Sequence, residues 1–255
     1  MPSSIFSVIP KLKGAFTPYN WSAYNSNMEW RIDLTSSASY VGTGTSVTSL
    51  GPGGGTWTVQ GDPPFQQAGY VKYFNLDGSS DAYYSNTNYT YSSTFTYWVW
   101  GAWVWHDTTA TLVKREIFGI EDSSTDLIQF TVNRSAGGVY NIMAYMNNES
   151  TQIPFNTSIN PDTWNFLCFE HNMSTNAVTL YKNGVSASTI TSQPVINVAL
   201  ERYVIGASNG SGTAGTGNFW LGRIPEAFLW RSTTNTDRAA MISAIYNGTK
   251  GRYGL

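Results

Sequence analysis

Four of the chain's ten tryptophans fall within the eleven residues Phe95 to Trp105, Phe-Thr-Tyr-Trp-Val-Trp-Gly-Ala-Trp-Val-Trp, and this run most constrains what the chain can fold into. Aromatic and β-branched residues suit pleated backbone, and the run holds neither proline nor charge, so it reads as a central β-strand. It is too short for a membrane span. Successive side chains of a strand alternate, which puts Phe95, Tyr97, Val99, Gly101, Trp103 and Trp105 on one face and Thr94, Thr96, Trp98, Trp100, Ala102 and Val104 on the other. Both faces are apolar from Trp98 onward. Such a strand either lies between two covered surfaces or keeps one face on a core and offers the other as an aromatic platform.

Composition narrows the class. Only 12% of the 255 residues are charged and the formal net charge is −2, so the chain carries no electrostatic footprint for nucleic acid or an acidic membrane. Richness in aromatics, Ser, Thr, Asn and Gly suits many short strands joined by polar turns. The single cysteine, Cys168, excludes an intrachain disulfide and reads as a small buried hydrophobe; with only His106 and His171 beside it, no Cys/His zinc cluster assembles within one chain. The first ten residues lack a basic segment followed by an adequate apolar one, so no secretory signal is expected and the start reads as that of a cytoplasmic product.

Residues 1–28 show no clean period and mix Pro10 and Pro18 with aromatics, as a docking arm would, leaving 29–255 as the domain. Strands are predicted at Trp30–Leu34, Thr56–Gln60, Tyr70–Leu76, Arg115–Ile120, Leu127–Asn133, Val139–Met146, Trp164–His171, Val178–Lys182, Tyr203–Gly206 and Phe219–Trp230, with 36–55 a long surface loop. Asn183-Gly184 predicts a type I′ hairpin turn, in which both central residues take positive φ. The one good helix runs from Asp237 to Asn247, capped by Asn235 or Thr236 and ended by Gly248. Met241, Ile242, Ile245 and Tyr246 share its apolar face, which is expected on the rim of a sandwich.

Several separate motifs carry a family likeness. They are Ser39-Tyr40-Val41-Gly42-Thr43-Gly44-Thr45, the run Phe74-Asn75-Leu76-Asp77-Gly78-Ser79-Ser80-Asp81, the Trp-rich strand with Trp103, Pro161-Asp162-Thr163-Trp164, Leu180-Tyr181-Lys182-Asn183-Gly184, and Val204-Ile205-Gly206. Their order resembles the concanavalin A-like jelly-roll superfamily, in particular the laminin-G-like domains found in phage and other viral structural proteins. The resemblance implies an all-β antiparallel sandwich closed by one short C-terminal helix. Two departures, Pro225 in place of an acid and the segment Ser49-Leu50-Gly51, argue against an inherited metal site.

Jelly-roll glycanases need two carboxylates about 5 Å or about 6.5–9.5 Å apart, which on one strand means acids at i and i+2. No such pair occurs; Glu29 with Asp33 and Asp77 with Asp81 are four residues apart, about 13 Å in extended chain. His106-Asp107 and Glu170-His171 are adjacent and so face opposite ways. No catalytic residue and no cofactor is assigned. Asp77 and Asp81 have the oxygen chemistry of a Ca²⁺ site, but the preferred reading is that Asp77 holds the turn before Gly78. Sugar binding would stack an aromatic ring on a pyranose, with Trp98, Trp100, Tyr83, Tyr84, Trp220 and Trp230 as candidates, each weighed against core packing.

The resulting expectation is a non-enzymatic virion surface protein such as a capsid decoration, head fibre or tail component. It would dock to other virion proteins through its N-terminal segment, form a homo-oligomer and bind host-surface glycans, without nucleic acid or a membrane span. The alternatives are a cell-surface or secreted carbohydrate-binding module and a polysaccharide-cleaving enzyme.

Overall fold

The computed structural model describes residues 19–91, 94–109, 114–121, 127–146, 151–193, 198–209, 215–234 and 237–255. Alternation decides its architecture. In the strand Tyr97–His106, Trp98, Trp100, Ala102 and Val104 enter one hydrophobic core while Tyr97, Val99 and Trp103 enter a second, so the strand is covered on both faces. It lies in an antiparallel seven-stranded sheet ordered Met28–Asp33, Leu221–Ser232, Tyr97–His106, Trp164–Asn172, Ala177–Lys182 and Val185–Ile190, with Leu76–Asp77 pairing on Leu221–Ser232.

The first core is the filling of a sandwich. Its other wall is an eight-stranded sheet ordered Thr151–Ile159, Tyr140–Met146, Leu127–Arg134, Lys114–Glu121, Tyr203–Ile205, Ala82–Ser85, Thr56–Gln60 and Ser46–Thr48. Trp100 meets that wall through Phe118, Phe130 and Tyr203, with ring centroids 5.8, 5.6 and 5.1 Å away. The second core lies on the outer face of the seven-stranded sheet, under the helix Arg238–Thr249. Trp103 stacks at 4.0 Å on Tyr253 and donates its indole N–H to Thr249 Oγ1 at 3.0 Å. The helix therefore lies across a sheet face and not, as expected, on the rim.

Other expectations differ in instructive ways. Asn235 and Thr236 lie outside the described residues; the cap is Asp237, which accepts from the Ala240 N–H. Gly248 does not end the helix, because the chain continues through Lys250–Tyr253 as a 3₁₀ turn and stops at Gly254, at φ 77°. Gly248 serves a close approach instead: a Cβ there would stand 2.0 Å from the Tyr19 ring. The segment 36–55 contains the strand Ser46–Thr48, with Val47 buried. An unpredicted strand, Thr151–Ile159, carries Pro154 at a sheet edge, where a missing N–H is tolerated. Asn183 and Gly184 take φ 52° and 78°, as the type I′ turn requires.

Residues 19–28 pack on the body. Trp21 joins the second core and Met28 pairs with Trp230, so a free arm could extend only over residues before Tyr19; residues 1–18 lie outside the described set.

The fit is tightest at the middle of the Trp-rich strand. Gly101 faces Phe228 and Cys168 on its two neighbours, and a Cβ there would lie 2.3 Å from the Phe228 ring and 2.8 Å from Cys168 Sγ. Gly101→Ala is expected to destabilise the chain by about 1–3 kcal/mol through overpacking, measured by urea unfolding.

Candidate functional site

Five of the six aromatic candidates for sugar stacking are interior side chains. Trp98, Trp100, Tyr83, Trp220 and Trp230 are each exposed by 2% or less, so no sugar ring reaches them. Their role is packing: Trp220 sits edge-on to His106 at 4.9 Å and donates to the Trp105 carbonyl at 3.1 Å, while Trp230 belongs to the core under the helix. Tyr84 alone keeps part of its ring at the surface, with Arg202 over it at 5.8 Å.

Asp77 and Asp81 are engaged by N–H and O–H donors. Asp77 accepts from the Ser79 and Ser80 backbone N–H groups at 2.7 and 2.9 Å and from both hydroxyls; although burial works the other way, these bonds hold its carboxyl down at about 2. Asp81 accepts from the Asp77 N–H at 2.9 Å. These are the contacts of a turn anchor, and among the described residues no cluster of three or more His, Cys, Asp or Glu side chains has metal-site geometry.

Neither adjacent acid–histidine pair forms a dyad. His106 is buried between Tyr140 and Trp220, whereas Asp107 accepts from the Trp105 indole at 2.9 Å. His171 is buried opposite Trp98, while Glu170 points to the helix layer, taking Arg238 at 2.6 Å and the Tyr181 hydroxyl at 3.0 Å.

The surface with chemistry is the outer face of the seven-stranded sheet. A β-bulge in Leu221–Ser232 sets its pattern, since Arg223 pairs with Trp105 and Glu226 with Trp103, three steps on one strand against two on the other. Pro225 sits inside this bulge and offers its carbonyl to the Leu34 N–H at 2.9 Å. The extra residue rotates Glu226 onto the outer face. One cross-strand row then reads Asp33, Glu226, Trp103, Phe166; the next reads Arg223, Trp105, Trp164.

The first row lies under the C-terminal turn and is filled by charge. Arg252 donates to Asp33 at 3.0 Å and to Glu226 at 3.3 Å, Tyr253 reaches Glu226 at 3.3 Å, and Arg31 lies 3.4 and 3.5 Å from the same two acids. Burial, with the Asp33 charge beside it, pushes the Glu226 carboxyl up. Beside this cluster opens a cleft of about 450 Å³ lined by Tyr19, Tyr70, Arg31, Arg252 and the hydroxyls of Thr35, Ser36 and Ser37.

The second row lies at the margin of the helical cover, where Trp164 still packs edge-on to Tyr253 of the C-terminal turn at 4.9 Å. Trp105 and Trp164 pack edge to face at 5.5 Å, and these are the two tryptophans of the ten that are not buried. Arg223 lies between the rings of Trp105 and Tyr73, 4.7 and 4.8 Å from their centroids. Sequence reasoning passed over this row. Its signal was parity: Trp105 shares a face with Trp103 but lies one pleat farther on, past the reach of the helix.

A family model described as the concanavalin A-like lectin/glucanases superfamily matches residues 76–239. None of the curated proteins matches the sequence. Among solved structures, the chain is similar to domain 4 of a GH43 extracellular arabinanase from Geobacillus stearothermophilus in complex with arabinotriose. That match has 16% identity and a TM-score of 0.62 over 86% of this chain and 98% of that one. It is also similar to the botulinum neurotoxin serotype G binding domain, at 14% identity and TM-score 0.60 over 86% of this chain and 50% of that one. A structure of botulinum neurotoxin type C gives 11% identity and TM-score 0.61, with 89% and 53% covered. The chain thus spans about half the length of the neurotoxin chains. At these identities the likeness is one of fold.

The two histidines generate a pH dependence. Burial pulls each from 6.5 to about 4, so the folded chain binds fewer protons than the unfolded chain between those values. Their contribution is complete above about pH 6.5 and is lost as pH falls toward 4, by at most about 3 kcal/mol per histidine. Denaturant titrations across this range are expected to show the loss, and His171→Gln is expected to flatten the profile.

Proposed function

The chain belongs to the concanavalin A-like lectin/glucanases superfamily, and on that premise we propose that it is a non-enzymatic virion surface protein whose jelly roll recognises glycans. The observation that carries the glycan reading is the Trp105–Trp164 pair. Two partly exposed indoles stand on adjacent strands in one cross-strand row, beside an arginine. An indole face offers a pyranose C–H surface both dispersion and quadrupole attraction, and neighbouring hydroxyls and amides accept or donate to its hydroxyl groups.

The non-enzymatic reading draws on the acid pair that folding brings together. Asp33 and Glu226 are buried and saturated by Arg252, Arg31 and Tyr253, which leaves neither carboxyl free to exchange a proton with a glycosidic oxygen. Among the described residues, no helix is long and apolar enough to cross a membrane. The virion setting draws on the motifs shared with laminin-G-like domains of phage and viral structural proteins, with residues preceding Tyr19 as the docking segment. A second reading, a carbohydrate-binding module of a secreted or cell-surface protein, is favoured by the arabinanase domain, which the likeness covers almost entirely.

Glycan-array binding by the full chain is expected, and Trp105→Ala or Trp164→Ala is expected to weaken it about tenfold at a temperature well below the melting point of each variant. A folded chain that binds no glycan would end the lectin reading. Deleting residues 2–18 is expected to abolish incorporation into particles and leave glycan affinity unchanged. Incorporation without that segment would overturn its docking role, and failure of the full chain to join particles would favour the second reading.

A further inference from the structure

We propose that the Trp105–Trp164 row selects acidic sugars, with Arg223 as the residue that takes the anionic group. This rests on the glycan-binding reading and specifies its ligand class as a pyranose bearing a carboxylate or a sulfate ester.

A guanidinium carries five N–H donors, and a partly buried arginine ordinarily meets a carboxylate or a set of carbonyls. Arg223 makes no hydrogen bond and no ion pair with any described residue, and its Nε is buried without a partner. Asp162 acts on Arg223 through space, while the hydrogen bonds of Asp162 and Asp107 go to other groups. Asp107 accepts from the Trp105 indole at 2.9 Å, and Asp162 takes the backbone N–H of Thr108 at 3.0 Å together with its hydroxyl.

The side chain is nevertheless held in place. Tyr73 and Trp105 flank its guanidinium, and the bulge after Arg223 fixes where it leaves the strand. Gly222, at φ 128°, allows the backbones to close, since a Cβ there would stand 2.1 Å from the Trp105 carbonyl oxygen. A guanidinium held between rings has already lost rotamer freedom, so an incoming anion bears less ordering cost. The charge then sits 4.7 Å from the Trp105 ring, with Trp164 one strand farther along the same row. A uronic or sialic-type carboxylate projects from the pyranose it belongs to, so a ring stacked on the indoles places that group within reach of Arg223. A neutral sugar leaves the guanidinium unanswered.

The test measures affinities of the full chain for matched neutral, carboxylated and sulfated oligosaccharides. The carboxylated or sulfated member is expected to bind at least tenfold more tightly than its neutral counterpart, and the two arms tell uronate from sulfate ester. Arg223→Gln is expected to bring the affinity for acidic ligands down to that of their neutral counterparts, and Arg223→Lys to restore part of the preference. In the unaltered chain, raising salt from 50 to 500 mM is expected to weaken the acidic ligands and spare the neutral ones, a readout independent of how the variants fold. Equal affinity for neutral and acidic ligands, or a preference that survives Arg223→Gln, overturns the inference and leaves the lectin reading standing. Absence of binding to every ligand overturns both.

Discussion

A strand whose two faces are both apolar must be covered twice, and that requirement organises the molecule. Trp98 and Trp100 need a second sheet, while Val99 and Trp103 need a separate lid. The second sheet supplies the sandwich. The lid is made from the ends of the chain, with Tyr19 and Trp21 on one side and the helix with its 3₁₀ turn on the other. Where the lid stops, the indoles of Trp105 and Trp164 reach the surface. The proposed binding row is thus the uncovered margin of a core, rigid because its neighbours are packed.

The bulge at Ile224–Pro225 links this packing to the charge pattern. Without the extra residue, an outward side chain would come from Pro225, and Glu226 would point into the sandwich. With it, Glu226 faces Asp33 and Arg252 and helps tie the C-terminal turn to the sheet. Pro225, which breaks the family motif as a sequence, is accommodated because a bulge leaves its nitrogen unpaired. Breaking such a cluster by removing one partner costs more than never having built it, since the remaining charge is stranded in the interior.

Much of the architecture was legible from residues alone, because period and turn chemistry are local. The alternation of the Trp-rich strand, the Asn183-Gly184 turn and the apolar face of the helix each emerge from a few neighbouring positions. What escaped was set by distant partners. Which tryptophans are buried depends on how far the helix extends over the sheet, and the close approach of Tyr19 to that helix needs Gly248. Trp98, Trp100, Tyr83, Trp220 and Trp230 looked like platforms because a sequence shows an aromatic but not its cover. The meeting of Asp33 with Glu226 required a strand register that no local pattern encodes.

The ion pair between Arg252 and Asp33 spans 219 positions of chain. A contact of that separation forms only after the loop-closure entropy of nearly the whole molecule has been met, which places this topology among slow folders with high contact order. The last turn covers Trp103, so any state in which that turn is undocked opens this indole to solvent. Order of assembly, more than final stability, is then where such a chain is most exposed to sticky encounters with other copies of itself.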